Sequence, residues 1–233
     1  ENVFLEAGFP EGVFQTRLVG SDQIDGIIED ERVRAATLTG SEPAGRAVAE
    51  TAGKELKPTV LELGGSDPFV VLDDADVETA AEVGTQSRTL SSGQSCIAAT
   101  IGDPTEEDTD IGPQAREDLM EDLHEQVQDT LDDGATLQTG GSPLDRDGFF
   151  YPPTVVTDVP RDSTMATEEV FGPAAAVFRV ESEEEAIEVA NDSDFGLGGS
   201  VWTEDLDRGR QVAWSIESGC VFVNELTKSD PRI

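Results

Sequence analysis

Cys96 is the residue with the strongest potential for chemistry, because it closes the small, glycine-containing stretch Ser-Ser-Gly-Gln-Ser-Cys at residues 91–96. A cysteine after such a turn is exposed and close to backbone N–H donors, and both conditions favour a thiolate nucleophile. A small buried thiol is the other interpretation, since free cysteine is often buried. That second interpretation suits Cys220, which begins an apolar run at residues 220–223 that we expect to be a buried strand.

Glu62 interrupts the apolar run at residues 59–63, directly before the glycine pair at 64 and 65. A carboxylate at the carboxyl end of a central strand lies where α/β proteins form their sites. Such a group becomes a general base when desolvation raises its pKa. The alternative is a carboxylate on an edge strand that faces solvent, and exposed acids are common in a chain of this acidic composition.

Two further motifs have local signals that leave alternatives open. Gly40 and Ser41 follow a predicted strand and open a predicted helix, an arrangement that offers backbone N–H groups to an anion. The same pattern fits an ordinary strand–helix turn with Ser41 as the helix N-cap. Glu169 and Phe171 lie in a Glu-Glu-Val-Phe-Gly-Pro stretch that permits a ribose hydroxyl contact and a stacking surface. Nothing local requires either role.

The only histidine, His124, limits the available chemistry. Apolar residues at i−1, i−5 and i+3 form a helical stripe beside it, which predicts a solvated helix position. A Ser-His-Asp or Cys-His mechanism would depend on this one residue, and no His/Cys metal cluster can be assembled. We therefore predict no metal site.

Helical and strand patterns alternate at short spacing, which predicts an α/β fold with a mostly parallel sheet. No repeat is visible. The pace of the first sixty residues fits a doubly wound nucleotide-binding sheet. Predicted strands cover residues 13–19, 32–38, 59–63, 197–202 and 221–223. Predicted helices cover a segment capped by Ser21 and Asp22, then residues 41–52, 75–90, 117–131, 183–190 and 205–215.

The chain of 233 residues is strongly acidic, with 50 Asp and Glu against 15 Lys and Arg, giving a formal net charge of −35. This charge argues against binding to nucleic acid or to anionic membranes. Apolar residues still make up 36% and cluster in short runs, which favours a folded protein over disorder. An acidic surface with three lysines is typical of proteins from a salt-saturated cytoplasm. Two cysteines and no apparent signal peptide or membrane span also predict a cytoplasmic location.

Taken together and in order, the motifs resemble the aldehyde dehydrogenase superfamily, most closely its succinate-semialdehyde dehydrogenase type. The motifs run from residue 4 to residue 230 and are Ala-Gly-Phe-Pro-Glu-Gly-Val (7–13), Thr-Gly-Ser (39–41), Glu-Leu-Gly-Gly-Ser (62–66), Gly-Gln-Ser-Cys (93–96), Gly-Asp-Pro (102–104), Asp-Ile-Gly-Pro-Gln (110–114), Phe-Tyr-Pro-Pro-Thr (150–154), Glu-Glu-Val-Phe-Gly-Pro (168–173), Phe-Gly-Leu-Gly-Gly-Ser-Val-Trp (195–202) and Gly-Cys-Val-Phe-Val-Asn-Glu (219–225).

The resemblance implies an NAD- or NADP-dependent oxidation of a small-molecule aldehyde, with a nucleophile at Cys96 and a water-activating base at Glu62. It places Gly40 and Ser41 against the coenzyme pyrophosphate and Leu63 beside the nicotinamide. The same resemblance assigns the nicotinamide ribose to Glu169 and the nicotinamide ring to Phe171. The family also implies a homodimer or homotetramer. A succinate preference would need a cation, for which Arg88 and Arg232 qualify by type, although surface acids are their expected partners.

The implied domains are the end of a Rossmann-like nucleotide-binding domain (1–63), an α/β catalytic domain (64–223) and a stub of the oligomerisation region (224–233). Five residues, 97–101, separate Cys96 from Gly-Asp-Pro at 102–104. The family has a strand and a helix at this place, and five residues are too few to form them. We therefore expect a missing segment near residues 100 and 101, besides family segments missing upstream and downstream. Little or no turnover by this polypeptide alone is the expectation.

Two alternatives to an active aldehyde dehydrogenase follow. The first alternative is a catalytically inactive relic of the family that persists as a non-enzymatic subunit. In an enzyme, alkylating reagents should modify Cys96 faster than Cys220, whereas in a relic the two rates should not differ. An acidic binding protein unrelated to catalysis would require the ordered motifs to be accidental.

Overall fold

The computed structural model describes residues 1–89 and 112–228 and divides the chain into two compact units, Glu1–Gly64 and a second unit that begins at Gly65. Each unit is an arrangement of short strands and covering helices, and most strand pairs are parallel. The mixed α/β class with parallel pairing is therefore confirmed. Among the described residues, no helix has the length and apolar character that a bilayer crossing needs.

The first unit is built on one parallel strand pair joined by a helix. Strands β1 (Ala36–Thr39) and β2 (Thr59–Glu62) pair in parallel, and α3 (Glu42–Lys54) connects them. A short 3-10 turn (Ser21–Gln23) leads into α2 (Ile24–Glu29), which packs on α3. Ile28, Val48 and Ala52 form the buried core between these elements. Gly20, rather than Ser21 or Asp22, precedes the turn, and its N–H bonds the side chain of Gln23.

The predicted strand at residues 13–19 is wrong. The chain begins with α1 (Asn2–Glu6) and then runs through exposed turns and extended backbone to residue 20. No strand in the described part of the chain pairs with this segment, and apolar side chains without a hydrogen-bonded neighbour do not make a sheet. Its aromatic ring instead contacts α1, since Phe14 stacks on Phe4 with ring centroids 4.9 Å apart.

The second unit contains two small sheets, of which the first is entirely parallel. Strands β3 (Phe69–Val71), β7 (Gly198–Trp202) and β8 (Cys220–Val223) lie in the order β3-β7-β8. Helices α7 (Glu183–Asn191) and α8 (Leu206–Ser215) pack against this sheet. The core side chains come from both layers and are Val70, Leu72, Ala186, Val201, Val212 and Ile216.

The other sheet of this unit has the order β4-β5-β6, with β4 antiparallel to β5 and β5 parallel to β6. Its strands are β4 (Thr136–Thr139), β5 (Thr154–Thr157) and β6 (Ala174–Val177). Helix α5 (Glu117–Asp132) packs on α6 (Thr164–Thr167), and α4 (Val77–Thr89) contacts β3 and β6. The buried cluster contains Leu123, Val127, Tyr151, Val156, Val159, Met165 and Ala174.

The helix predictions are largely confirmed, since α3, α4, α5, α7 and α8 match the predicted ranges within a few residues. The predicted helix at 75–90 ends beyond the described residues. Strands β3 to β6 were not predicted, because runs such as Thr-Val-Val-Thr and Ala-Ala-Ala-Val are too short for a clear period. Cys220 lies in β8 as expected, but it is half-buried rather than buried.

Candidate functional site

In the first unit, the predicted residues Gly40, Ser41, Glu62 and Leu63 lie together at the carboxyl ends of β1 and β2. The parallel register pairs Thr39 with Glu62, so both strands end at the same level. The N–H of Gly40 donates a hydrogen bond of 3.0 Å to the carbonyl of Glu62, and this bond extends the pairing into the turn. The edge where the strands end is the edge at which open α/β sheets bind ligands.

The turn after β1 leads directly into α3, with Ser41 as its N-cap residue in extended backbone geometry. The N-cap alternative is therefore correct for the position of Ser41, but its side chain makes no capping hydrogen bond. The first N–H groups of α3 stand at the same sheet edge as Glu62 and Leu63. A helix N-terminus in this position can hold an anionic group such as a pyrophosphate.

Leu63 is held by a close approach to α3 that the sequence analysis missed. Gly45 is buried, and a Cβ atom at that position would lie 2.8 Å from Cδ1 of Leu63. Only glycine therefore leaves room for the leucine side chain where it now lies. The available signal was the small residue five positions after Gly40, on the first turns of the helix.

Glu62 ends β2 with its side chain exposed. The burial that would make it a stronger base is not provided by the described residues. The solvent-facing alternative therefore fits the exposure of Glu62. Cys96 lies outside the described residues, as do Arg232 and the whole Gly-Gln-Ser-Cys motif. The roles of Cys96 as nucleophile and of Glu62 as base remain predictions.

In the second unit, Glu169 and Phe171 belong to a segment that α5 holds from one side. One carboxylate oxygen of Glu169 accepts a 3.0 Å hydrogen bond from the N–H of Gly65. Gln126 donates to the carbonyl of Glu169 and to the carboxylate of Glu168, both at 3.1 Å. Phe171 has 41% of its surface exposed, so it remains partly accessible to a stacking partner.

Gly172 explains how the segment approaches α5 so closely. The residue is buried, and a Cβ atom there would lie 3.1 Å from Cδ1 of Leu123, a fully buried core residue. The glycine thus lets the Glu169–Phe171 stretch pack directly on the helix. The exposed ring of Phe171 stands one residue before this fixed point.

Arg88 was expected to pair with surface acids, but its hydrogen-bond partners are two main-chain carbonyls. The residue is half-buried in the last turn of α4, and its Nε donates a 2.6 Å hydrogen bond to the carbonyl of Ala174. Nη2 donates to the carbonyl of Val170. Burial lowers the pKa of Arg88 to about 10, and the negative charges of Asp67 and Glu169 oppose that shift. Arg88 therefore stays charged at neutral pH, where it holds main-chain carbonyls.

Asp67 is a second half-buried charged residue that the sequence analysis did not single out. Its Oδ1 accepts a 3.1 Å hydrogen bond from the N–H of Gly198, and the Thr227 side chain is a further hydrogen-bond partner. Burial raises the pKa of Asp67, while these hydrogen bonds and the charge of Arg88 oppose the shift. The signal available in the sequence was an acid directly before the apolar run at residues 68–72.

His124 is half-buried rather than solvated. Its Nδ1 lies 3.2 Å from the hydroxyl oxygen of Tyr151, a core residue with only 2% of its surface exposed. Burial raises the pKa of Tyr151 to about 12, so the hydroxyl remains protonated at neutral pH. The prediction placed His124 beside the apolar stripe of α5 and missed this partner, which is 27 residues away.

Comparison with known proteins gives a consistent family. The Aldehyde dehydrogenase family model matches residues 1–101 and 98–233. The succinate-semialdehyde dehydrogenase [NADP(+)] of Mycobacterium avium is 47% identical over 256 residues, covering 100% of this chain and 54% of that protein. The chain therefore spans about half the length of the curated relatives it matches.

Solved structures agree with the fold. Succinic semialdehyde dehydrogenase from Streptococcus pyogenes, solved with NADP+, superposes with a TM-score of 0.94 at 37% identity and covers 100% of this chain and 56% of that one. Mycobacterium tuberculosis aldehyde dehydrogenase with NAD+ gives a TM-score of 0.92 at 32% identity and covers 97% and 52%, respectively. With the family model matched from the first residue to the last, and with the fold shared, the chain belongs to the aldehyde dehydrogenase family.

Proposed function

We propose that the protein carrying this sequence oxidises a small aldehyde to its carboxylic acid with NAD or NADP, and that succinate semialdehyde is the substrate to test first. The observation that carries the proposal is the 47% identity to an NADP+-dependent succinate-semialdehyde dehydrogenase over the whole chain. The ordered motifs at residues 39–41, 62–66, 93–96 and 168–173 support the same chemistry.

Each unit, taken by itself, contains residues whose chemistry suits one part of NAD or NADP. In the first unit, the Gly40–Ser41 turn and the N–H groups of α3 suit a pyrophosphate. In the second unit, the half-buried carboxylate of Glu169 suits ribose hydroxyls, and the exposed ring of Phe171 suits a flat heterocycle. When bound, NAD or NADP supplies the hydride acceptor.

Cys96 is the proposed nucleophile. Its thiolate adds to the aldehyde carbon and gives a thiohemiacetal, and a bound coenzyme would supply the hydride acceptor for the oxidation of this adduct. The product of this step is a thioester on Cys96. The mechanism needs neither histidine nor a metal ion, which agrees with the single histidine of the chain.

Glu62 is the proposed base for the second half of the reaction. Its carboxylate takes a proton from water as the water attacks the thioester carbonyl, and the C–S bond breaks to release the carboxylic acid and the thiolate. Each turnover consumes one aldehyde, one water and one oxidised coenzyme. The exposure of Glu62 at the end of β2 leaves its carboxylate accessible to water.

The test measures absorbance at 340 nm with succinate semialdehyde and either coenzyme in 2 M KCl. Cys96→Ala should lower kcat by about 10³-fold or more, because it removes the nucleophile. Glu62→Gln should lower steady-state kcat by about 10²–10⁴-fold. It should also retain a burst of reduced coenzyme equal to the enzyme present, since hydride transfer precedes its step.

Cys220→Ala is the matched control, because Cys220 is the other cysteine and lies in β8. It should leave kcat within about twofold, as expected for a thiol outside the proposed machinery. Absence of turnover from the folded protein that carries this sequence, with both coenzymes and several short aldehydes, would contradict the proposal, whereas little or no turnover is expected from the 233-residue polypeptide alone. That outcome, together with equal alkylation rates at the two thiols, would favour the non-enzymatic relic.

A further inference from the structure

Arg88 connects one helix to both ends of the segment that carries Phe171. It is the penultimate residue of α4, and its guanidinium donates to the carbonyl of Val170 on one side and to that of Ala174 on the other. Val170 immediately precedes Phe171, and Ala174 begins β6. A single side chain therefore fixes the main chain before and after the exposed ring.

The same side chain acts on Glu169 through charge. The carboxylates of Glu169 and Asp67 both raise the pKa of Arg88, so both lie close enough for an attractive interaction with the guanidinium. The Glu169 carboxylate in turn accepts the N–H of Gly65. A shift of the Val170 carbonyl would move Glu169, which is its neighbour in the chain, and would strain the bond to Gly65.

We propose that Arg88 is the positioning residue of the coenzyme-binding segment: it sets the orientation of the Glu169 carboxylate and the Phe171 ring by holding the Val170 carbonyl, which lies between these two residues, and the Ala174 carbonyl, which lies beyond the ring. This inference rests on the proposed function, which assigns those two side chains to the coenzyme. In the sequence, Arg88 lies eight residues before Cys96.

The chemistry of the side chain explains why arginine is required. A guanidinium is planar and donates to two acceptors in fixed directions at once, whereas a lysine ammonium is a flexible point charge. Arg88→Lys therefore keeps the positive charge near Glu169 and Asp67 but cannot hold both carbonyls with the same geometry. Arg88→Met keeps much of the side-chain length and removes both hydrogen bonds and the charge.

The experiment separates coenzyme binding from folding in the two variants. Arg88→Lys should raise KM for the coenzyme about tenfold, the effect of losing one charge-assisted hydrogen bond, and Arg88→Met about 100-fold. KM for the aldehyde should change by less than about threefold, because the clamped residues serve the coenzyme. Arg116→Lys is the control, since Arg116 pairs with Asp118 on the exposed start of α5.

A second readout does not depend on turnover. Hydrogen exchange at the Gly65 amide should accelerate by about tenfold in Arg88→Lys, because Glu169 no longer lies in place to accept that hydrogen bond. Arg116→Lys should leave this exchange rate unchanged. The measurement requires only the folded chain, so it still decides the positioning role if the wild-type protein proves inactive.

A merely structural role for Arg88 predicts a different pattern. The thermal midpoint would fall, while coenzyme KM in Arg88→Lys and exchange at Gly65 would match the wild type after correction for global stability. That pattern would overturn the inference and leave the proposed function intact. Wild-type inactivity with faster Gly65 exchange in the variant would instead refute the proposed function and support the clamp. If Arg88→Met fails to fold, the Arg88→Lys results stand alone.

Discussion

At the scale of single residues, this protein places charges inside its second unit and satisfies them with the main chain. Arg88 donates to two carbonyls, and Asp67 accepts the N–H of Gly198. Buried charges are costly unless they are hydrogen-bonded or paired. Residue types alone suggested surface ion pairs for Arg88, because the partners it finds lie 82 and 86 residues later in the chain.

Asp67 should make stability depend on pH in a predictable direction. Burial raises its folded pKa above the model-peptide value of 3.8, so the folded state binds more protons between these two values. The associated stability is therefore fully present below 3.8 and is lost as pH rises through the folded pKa. Relative to Asp67→Asn, the wild-type free energy of unfolding should increase as pH falls through the raised folded pKa of Asp67 towards 3.8.

Urea unfolding of both proteins at half-unit pH steps in 2 M KCl measures this difference. At pH 7, Asp67→Asn should be within about 1 kcal/mol of the wild type, because the amide keeps one acceptor and avoids burying a charge. All other titrating groups are common to the two proteins and cancel. A difference that stays constant across the pH range would show that Asp67 is not desolvated in the folded protein.

At the scale of elements, the alignment of strand ends and two buried glycines, Gly45 and Gly172, place the candidate site residues. The parallel register brings Gly40 beside Glu62, and Gly45 makes room for Leu63. Gly172 in the same way leaves room for the side chain of Leu123, which belongs to α5. Each case is a close approach between two elements, and glycine permits it since no Cβ intervenes.

Gly45→Ala tests the packing of Leu63. Alanine favours an α-helix over glycine by about 1 kcal/mol, but here its Cβ would lie 2.8 Å from Leu63 Cδ1. We expect a net destabilisation of about 1–2 kcal/mol, since overpacking costs about 1–3 kcal/mol.

In a Leu63→Ala background, the same change should stabilise the protein by about 0.5–1 kcal/mol. Denaturant unfolding of the four proteins completes a double-mutant cycle. Equal effects of Gly45→Ala in both backgrounds would contradict the contact.

At the scale of the whole molecule, the net charge of −35 dominates the behaviour to be expected in solution. Charges of one sign repel one another in the folded state, and salt screens that repulsion. The Debye length falls from about 10 Å at 0.1 M to about 3 Å at 1 M ionic strength. We therefore propose that the protein is adapted to high salt.

Thermal unfolding at increasing KCl concentration tests this proposal. The midpoint should rise by roughly 5 °C or more between 0.1 M and 2 M KCl, which corresponds to about 1–2 kcal/mol for a chain of this size. Sucrose at matched water activity serves as the control, because it does not screen charge. A midpoint that is unchanged or lower in KCl would remove the case for halophilic adaptation.

The sequence by itself determined the α/β class, most of the helices and the family, because these depend on local periodicity and on ordered motifs. The apolar stripe of α5 and the capped start of α8 needed no distant contact to be recognised. Tertiary structure decided the remainder. Residues 13–19 have strand character without a partner strand in the described chain, while Ala174–Val177 forms a strand because β5 lies beside it. Arg88 and Asp67 acquired their roles only when the fold brought distant carbonyl and N–H groups to them. Pairing and burial are properties of neighbours in space, and the order of residues does not specify them locally.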